Sequence, residues 1–195
     1  SLYGDTALIG AHLDDDNGIN TGKVYVFKKS PQSPPPMPPP YSPPLFLRRM
    51  LEDTGVKIYA NDAASSDYFG TSVSLYGDTA LISAHGGDDK GSNTGKVYVF
   101  TRSRVTTLWT EQTKLHASDA SSSDFFGASV SLFGDTALIG SYENDDKAEN
   151  AGKVYVFTRS VTSESDGIRT TTWTEQTQLY ASDLASSDKF GISVS

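Results

Sequence analysis

The sequence predicts an all-β fold, a partial β-propeller of four-stranded antiparallel blades. Three observations predict it. The first is repetition. Gly-Asp-Thr-Ala-Leu-Ile stands at Gly4–Ile9, Gly77–Ile82 and Gly134–Ile139, recurring after 73 residues and again after 57. Gly-Lys-Val-Tyr-Val-Phe follows at Gly22–Phe27, Gly95–Phe100 and Gly152–Phe157, and Phe-Gly-x-Ser-Val-Ser stands at Phe69–Ser74, Phe126–Ser131 and Phe190–Ser195. Repeats of this length are supersecondary units that bury their apolar faces against their neighbours. The second observation is local: short segments rich in Val, Ile, Tyr, Phe and Thr are separated by Gly, Asp and Asn. The third is a gradient within each repeat, from apolar strands to a polar last one. Four antiparallel strands ordered from a buried inner edge to a wet outer edge describe a propeller blade.

The middle repeat serves as template. Phe69–Tyr76 alternates Phe69, Thr71, Val73 and Leu75 with Gly70, Ser72, Ser74 and Tyr76, the period of a strand. Gly77-Asp78 is a two-residue hairpin signal in which glycine supplies a positive φ. Thr79–Ala84 is apolar without alternation, so this second strand is expected to be buried on both faces. Gly86–Thr94 is a polar loop, Lys96–Thr101 a third strand, and Trp109–Ala117 a fourth, half-wet one. Ser118–Asp124 carries the chain to the next blade.

The blades divide the chain as follows. Residues 1–68 form a first blade lacking its innermost strand, 69–125 a second and 126–189 a third. Residues 190–195 give the innermost strand of a further blade. Remaining blades of a longer chain are therefore expected as neighbours. The first repeat is longer by the difference between 73 and 57, and all nine prolines lie in the excess, between Pro31 and Pro44. This insert, 31–50, is expected to be polyproline II or irregular and exposed. Pro35-x-x-Pro38 and Pro36-x-x-Pro39 match a minimal SH3-ligand pattern, which is too short to outweigh a tolerated hairpin insertion.

Composition narrows the partners. A net charge of −8 opposes nucleic acid, whose phosphates need Lys and Arg. No apolar run approaches the roughly 18 residues of a membrane-spanning helix, so membrane insertion is not expected. The absence of cysteine removes disulfides, thiolate metal sites and a Cys nucleophile.

Phe-Gly-x-Ser-Val, then Gly-Asp-Thr-Ala-Leu-Ile-Gly-Ala, then Gly-Lys-Val-Tyr-Val-Phe together resemble FG-GAP repeats. Such repeats build the seven-bladed propeller at the head of integrin alpha chains and of related extracellular proteins. The resemblance covers nearly all of the chain outside the proline insert. It implies an extracellular or cell-surface setting and a part in adhesion. Two departures limit it. The family's Gly-Ala-Pro reads Gly10-Ala11-His12, Ser83-Ala84-His85 and Gly140-Ser141-Tyr142 here. The family's calcium loop, Asp-x-Asp-x-Asp-Gly-x-x-Asp between strands one and two, is replaced by the tight turns Gly4-Asp5, Gly77-Asp78 and Gly134-Asp135.

Any calcium must then use the loops between strands two and three, which are acidic in every repeat. The richest offers Asp14, Asp15, Asp16 and Asn20; the weaker ones offer Asp88, Asp89 and Asn93, and Asp145, Asp146 and Asn150. Calcium takes six to eight oxygen ligands. Each loop alone supplies too few, so weak calcium binding is the metal chemistry these residues suit. The competing reading makes them turn formers that cap backbone N–H groups. Asp62, Asp119 and Asp183, with Asp67, Asp124 and Asp188, recur at the blade crossings and read as turn caps. His12 and His85 align with Tyr142, and His116 with Tyr59 and Tyr180. A position that exchanges His for Tyr reads as a packed aromatic, and no catalytic triad is legible. Trp109 and Trp173 open the fourth strands and read as anchors between blades.

The expected function is a non-enzymatic interaction module that binds protein or carbohydrate through loops on one face. The alternatives are a propeller belonging to a secreted hydrolase and a purely structural spacer.

Overall fold

The computed structural model describes residues 1–28, 56–103, 105–163 and 169–195. They form three four-stranded antiparallel sheets, each a meander. The first blade holds β1 (Leu2–Tyr3), β2 (Thr6–Ala11), β3 (Lys23–Lys28) and β4 (Val56–Ile58). The second holds β5 (Val73–Tyr76), β6 (Thr79–Ala84), β7 (Lys96–Arg102) and β8 (Trp109–Leu115). The third holds β9 (Ser129–Phe133), β10 (Thr136–Ser141), β11 (Lys153–Ser163) and β12 (Arg169–Leu179). No helix appears among the described residues.

The burial gradient follows the sequence. Every residue of β6 is buried, whereas β8 is largely exposed along its Thr, Glu and Gln positions. Two cores lie between consecutive blades. The first joins Leu8, Val24 and Val26 of one blade to Phe69, Ile82 and Tyr98 of the next. The second joins Leu81, Val97 and Val99 to Phe126, Ile139 and Tyr155. Trp109 packs against the first core and Trp173 against the second, so each tryptophan anchors a blade boundary.

Four boundaries differ from the sequence reading. The first blade does have an innermost strand, shortened to Leu2–Tyr3, because Leu2 pairs with Ala7 and Tyr3 with Thr6. The innermost strand of the second blade starts at Val73 rather than Phe69. Phe69 is spent on the preceding blade: its N–H donates to Thr21 O and it bridges Gly22, while the Gly70 N–H returns to Ser83 O of its own blade. Residues 192–195 form no strand; only Phe190 is bridged, to Gly152. The fourth strand of the second blade ends at Leu115, where the chain leaves the sheet for the crossing. The proline insert, 31–50, lies outside the described residues.

The Phe-Gly motif owes its composition to this crossing. Phe126 is fully buried, with edge-on contacts to Tyr155 and Phe157 of its own blade. Its carbonyl runs so close to Gly95 (φ +82°) that a Cβ there would sit 2.1 Å from Phe126 O. Only glycine fits both the backbone conformation and the approach.

Candidate functional site

Alternating strand direction brings the β2–β3, β6–β7 and β10–β11 loops to one face with the blade crossings. Each loop is closed by an Asp side chain that accepts from a backbone N–H five residues on. The backbone N–H groups of Asn20, Asn93 and Asn150 donate to Oδ1 of Asp15, Asp88 and Asp145 at 2.6, 2.7 and 2.6 Å. The three asparagines adopt φ of 52°, 51° and 50°, the left-handed region that Asn tolerates.

The remaining carboxylates of these loops converge on a lysine. Lys23 Nζ lies 2.5 Å from Asp14 and 2.7 Å from Asp16. Lys96 Nζ is 2.7 Å from Asp89, 3.1 Å from Asp67 and 3.5 Å from Asp62. Lys153 Nζ is 2.6 Å from both Asp146 and Asp119. The three lysine side chains are buried, Lys153 completely. Asp62 and Asp119 come from the preceding crossing and also accept from the hydroxyls of Tyr98 and Tyr155, both at 2.8 Å. Asp62 is further bonded by Lys114. The network thus ties each crossing to the loop of the following blade.

Electrostatics agree with the geometry. Burial works to raise the Asp62 carboxyl, yet the hydrogen bonds from Lys114 and Tyr98 and the neighbouring lysines outweigh it and hold it at about 2. Burial works to lower Lys96 and Lys153, and the carboxylates around them overturn that and push both upward. Burial pushes the Tyr98 and Tyr155 phenols far up, reinforced by Asp62 and Asp119.

The sequence-derived metal candidates therefore sit as follows. Asp14 and Asp16 come together, on Lys23; Asp15 and Asn20 close a turn instead. Asp89 and Asp146 pair with Lys96 and Lys153, while Asp88 with Asn93, and Asp145 with Asn150, repeat the turn. A lysine ammonium fills the place between the carboxylates where a cation would be held. Among the described residues no group of three or more His, Cys, Asp or Glu is disposed to bind a metal. At the crossings, Asp67, Asp124 and Asp188 cap turns by accepting from the N–H of Ala64, Ser121 and Ala185. Asp124 is buried, and that burial raises its carboxyl despite the amide of Asn144 at 3.0 Å.

Sequence reasoning missed two features of this face. One is the buried lysine, whose signal is its place seven residues after an Asp in each repeat. The other is a ladder of rings. His12 and Tyr68 lie 6.3 Å apart, Tyr68 and His85 5.3 Å, His85 and Phe125 5.6 Å, and Phe125 and Tyr142 6.0 Å, with Lys189 over Tyr142 at 5.1 Å. The ladder alternates the residue after each second strand with the residue before each Phe-Gly. His12 is exposed and the other five are half-exposed. Tyr68, Phe125 and Lys189 hold φ of 57°, 53° and 54°, a strained conformation for such side chains. Their N–H groups are fixed on Asn20 O, Asn93 O and Asn150 O, each at 3.1 Å. The acidic turns thereby position the rings.

Comparison with known proteins agrees with this construction. The FG-GAP repeat model matches residues 1–27, 54–100, 109–157 and 173–195. The breaks at 101–108 and 158–172 fall on the hairpin between the third and fourth strands of a blade. No match was found among curated proteins. With its Phe-Gly crossings, Gly-Asp turns and four-stranded blades accounted for over most of its length, the chain belongs to the FG-GAP repeat family.

Proposed function

We propose that the chain is a non-enzymatic interaction module of an extracellular or cell-surface protein, and that it binds a protein partner through the loop face. The observation that carries this reading is the ladder His12, Tyr68, His85, Phe125, Tyr142 and Lys189, held on strained backbone across all three blades. Strain at three equivalent positions concentrates where a surface must be preformed. Half-exposed aromatic rings supply contact area at little entropic cost, and aromatics are enriched in binding hot spots. Asp15, Asp88 and Asp145 are exposed beside the ladder, each using one carboxylate oxygen in its turn. An acidic rim around aromatic rungs favours a partner that presents Lys or Arg, through ion pairing and cation–π contact.

Binding of the fluorescently labelled chain to cell surfaces tests the reading. The paired substitution Tyr68→Ala and Phe125→Ala is expected to reduce binding by about tenfold or more, and added salt to weaken it, as for other aromatic anchors on charged rims. Undiminished binding by a folded double variant would contradict it.

A further inference from the structure

A cleft of about 720 Å³ opens at the outer side of the boundary between the second and third blades. Its lining includes Lys90, Lys114, His116, Ser118, Phe157 and Trp173. This volume falls within the range of small-molecule sites, roughly 300–1,000 Å³. Two aromatic rings, two ammonium groups, an imidazole, a hydroxyl and the Asp119 carboxylate thus line one space. It is separate from the ring ladder of the loop face.

Four observations point to a ligand there. Buried polar atoms are nearly always paired within a protein. Among the described residues the two buried side-chain polar atoms that lack a hydrogen-bond partner are His116 Nδ1 and Trp173 Nε1, and both residues line this cleft. Second, the imidazole is peculiar to this boundary, because Tyr59 and Tyr180 occupy the equivalent positions in the first and third blades. The Tyr59 hydroxyl finds Asp16 at 3.2 Å and that of Tyr180 finds Gln178 at 2.9 Å, so the phenols are satisfied where the imidazole nitrogen is not. Third, the groups are mostly donors. Trp173 offers an N–H, Lys90 forms no ion pair with any described residue, and Lys114, paired with Asp62 and 3.8 Å from Asp89, keeps a further N–H. Fourth, the acidic groups nearby are already engaged: Asp119 by Lys153, Tyr155 and Gln178, and Glu175 by Ser118.

We propose that this cleft binds a small ring compound bearing a carboxylate. The carboxylate pairs with the Lys90 and Lys114 ammonium groups, while an apolar ring face lies against the Trp173 and Phe157 side. An acceptor oxygen at the inner end pairs with the indole N–H, and His116 completes the polar wall. Two sources share this chemistry, a hexuronate sugar and an aryl carboxylate.

Indole N–H resonances in a heteronuclear NMR titration read the site, since the chain holds only Trp109 and Trp173. A Trp109→Phe variant assigns them. Digalacturonate, phenylacetate and a neutral disaccharide are titrated separately into the chain. The proposal expects saturable movement of the Trp173 signal with at least one of the two acids, and identifies the source by which acid acts. Lys90→Met and His116→Tyr are each expected to weaken that binding by about tenfold, the scale of one charge-assisted hydrogen bond. His116→Tyr installs the residue that the other blades already carry, so the fold tolerates it. No Trp173 response to either acid up to about 10 mM, weaker than any specific site of this size, would overturn the proposal. So would equal binding of the neutral disaccharide, or acid binding that neither variant alters.

Discussion

At the residue scale the decisive groups are Lys23, Lys96 and Lys153. A buried ammonium is tolerated only where carboxylates surround it, and removing one partner leaves the others as uncompensated charge. Lys153→Met strands Asp119 and Asp146, which are partly open to water, so the cost is expected to be about 2–3 kcal/mol, below that of a fully buried pair. Lys57→Met removes an exposed contact to Asp16 and is expected to cost about 0–1 kcal/mol. Urea unfolding of the two variants makes the comparison. The same network sets the acid limit. Asp62 is held down at about 2, so its contribution is complete above the unfolded value near 4 and is lost as pH falls from there toward 2. A second loss begins higher. Burial, aided by His12, lowers His85, which favours the neutral imidazole in the fold, so stability declines as pH drops below about 6.5. His85→Tyr is expected to reduce the slope of the urea-midpoint profile between about pH 7 and 5, leaving the part due to His116, which burial also lowers, and Asp62→Asn to reduce that of the limb below pH 4. The lysines were partly legible: each repeat places Lys in an otherwise apolar strand, seven residues after Asp. The sequence could not say that this spacing folds the carboxylate back onto the ammonium, because that depends on the loop's path.

At the element scale, the Gly-Asp hairpins and the apolar second strands were legible from composition and periodicity. The start of the innermost strand was not, because Phe69 continues the alternation of Val73–Tyr76 while its N–H bonds to another blade. Periodicity reports which side chains are buried and not which backbone they pair with. The ring ladder was illegible for a related reason. Its members lie in two separate loops of each repeat, and the positive φ of Tyr68 and Phe125 has no signature in residue type. Two glycines with similar φ separate strain from close approach. Gly77→Ala meets open space and is expected to cost about 1 kcal/mol from the turn alone. Gly95→Ala drives a Cβ onto Phe126 O and is expected to cost at least about 3 kcal/mol. Thermal unfolding of the pair checks the difference.

Across the whole molecule, stability resides between blades rather than within them. Ile82 is fully buried at the first boundary, whereas its equivalent Ile9 is 54% exposed on the outer face of the first blade. Leu115 is 4% exposed and its equivalent Leu179 is 43% exposed. Ile82→Glu therefore buries an unpaired carboxylate and is expected to unfold the stack, while Ile9→Glu is expected to change stability by less than about 0.5 kcal/mol. Circular dichroism melts of both variants test this. The two open faces carry the residues that pack at the internal boundaries, and we propose that further blades cover them.

Lysine closes the acidic loops, and the loops so closed position the ring ladder. Calorimetric titration of calcium into the chain, paired with a melting curve at each concentration, tests this most directly. With the ammonium groups in place, about 1 mM calcium is expected to raise the melting temperature by no more than about 1 °C, because a cation would have to displace a buried, bonded charge and too few oxygen ligands remain. A stoichiometric heat at micromolar calcium, with a rise of several degrees, would make these loops metal sites and not lysine-closed turns.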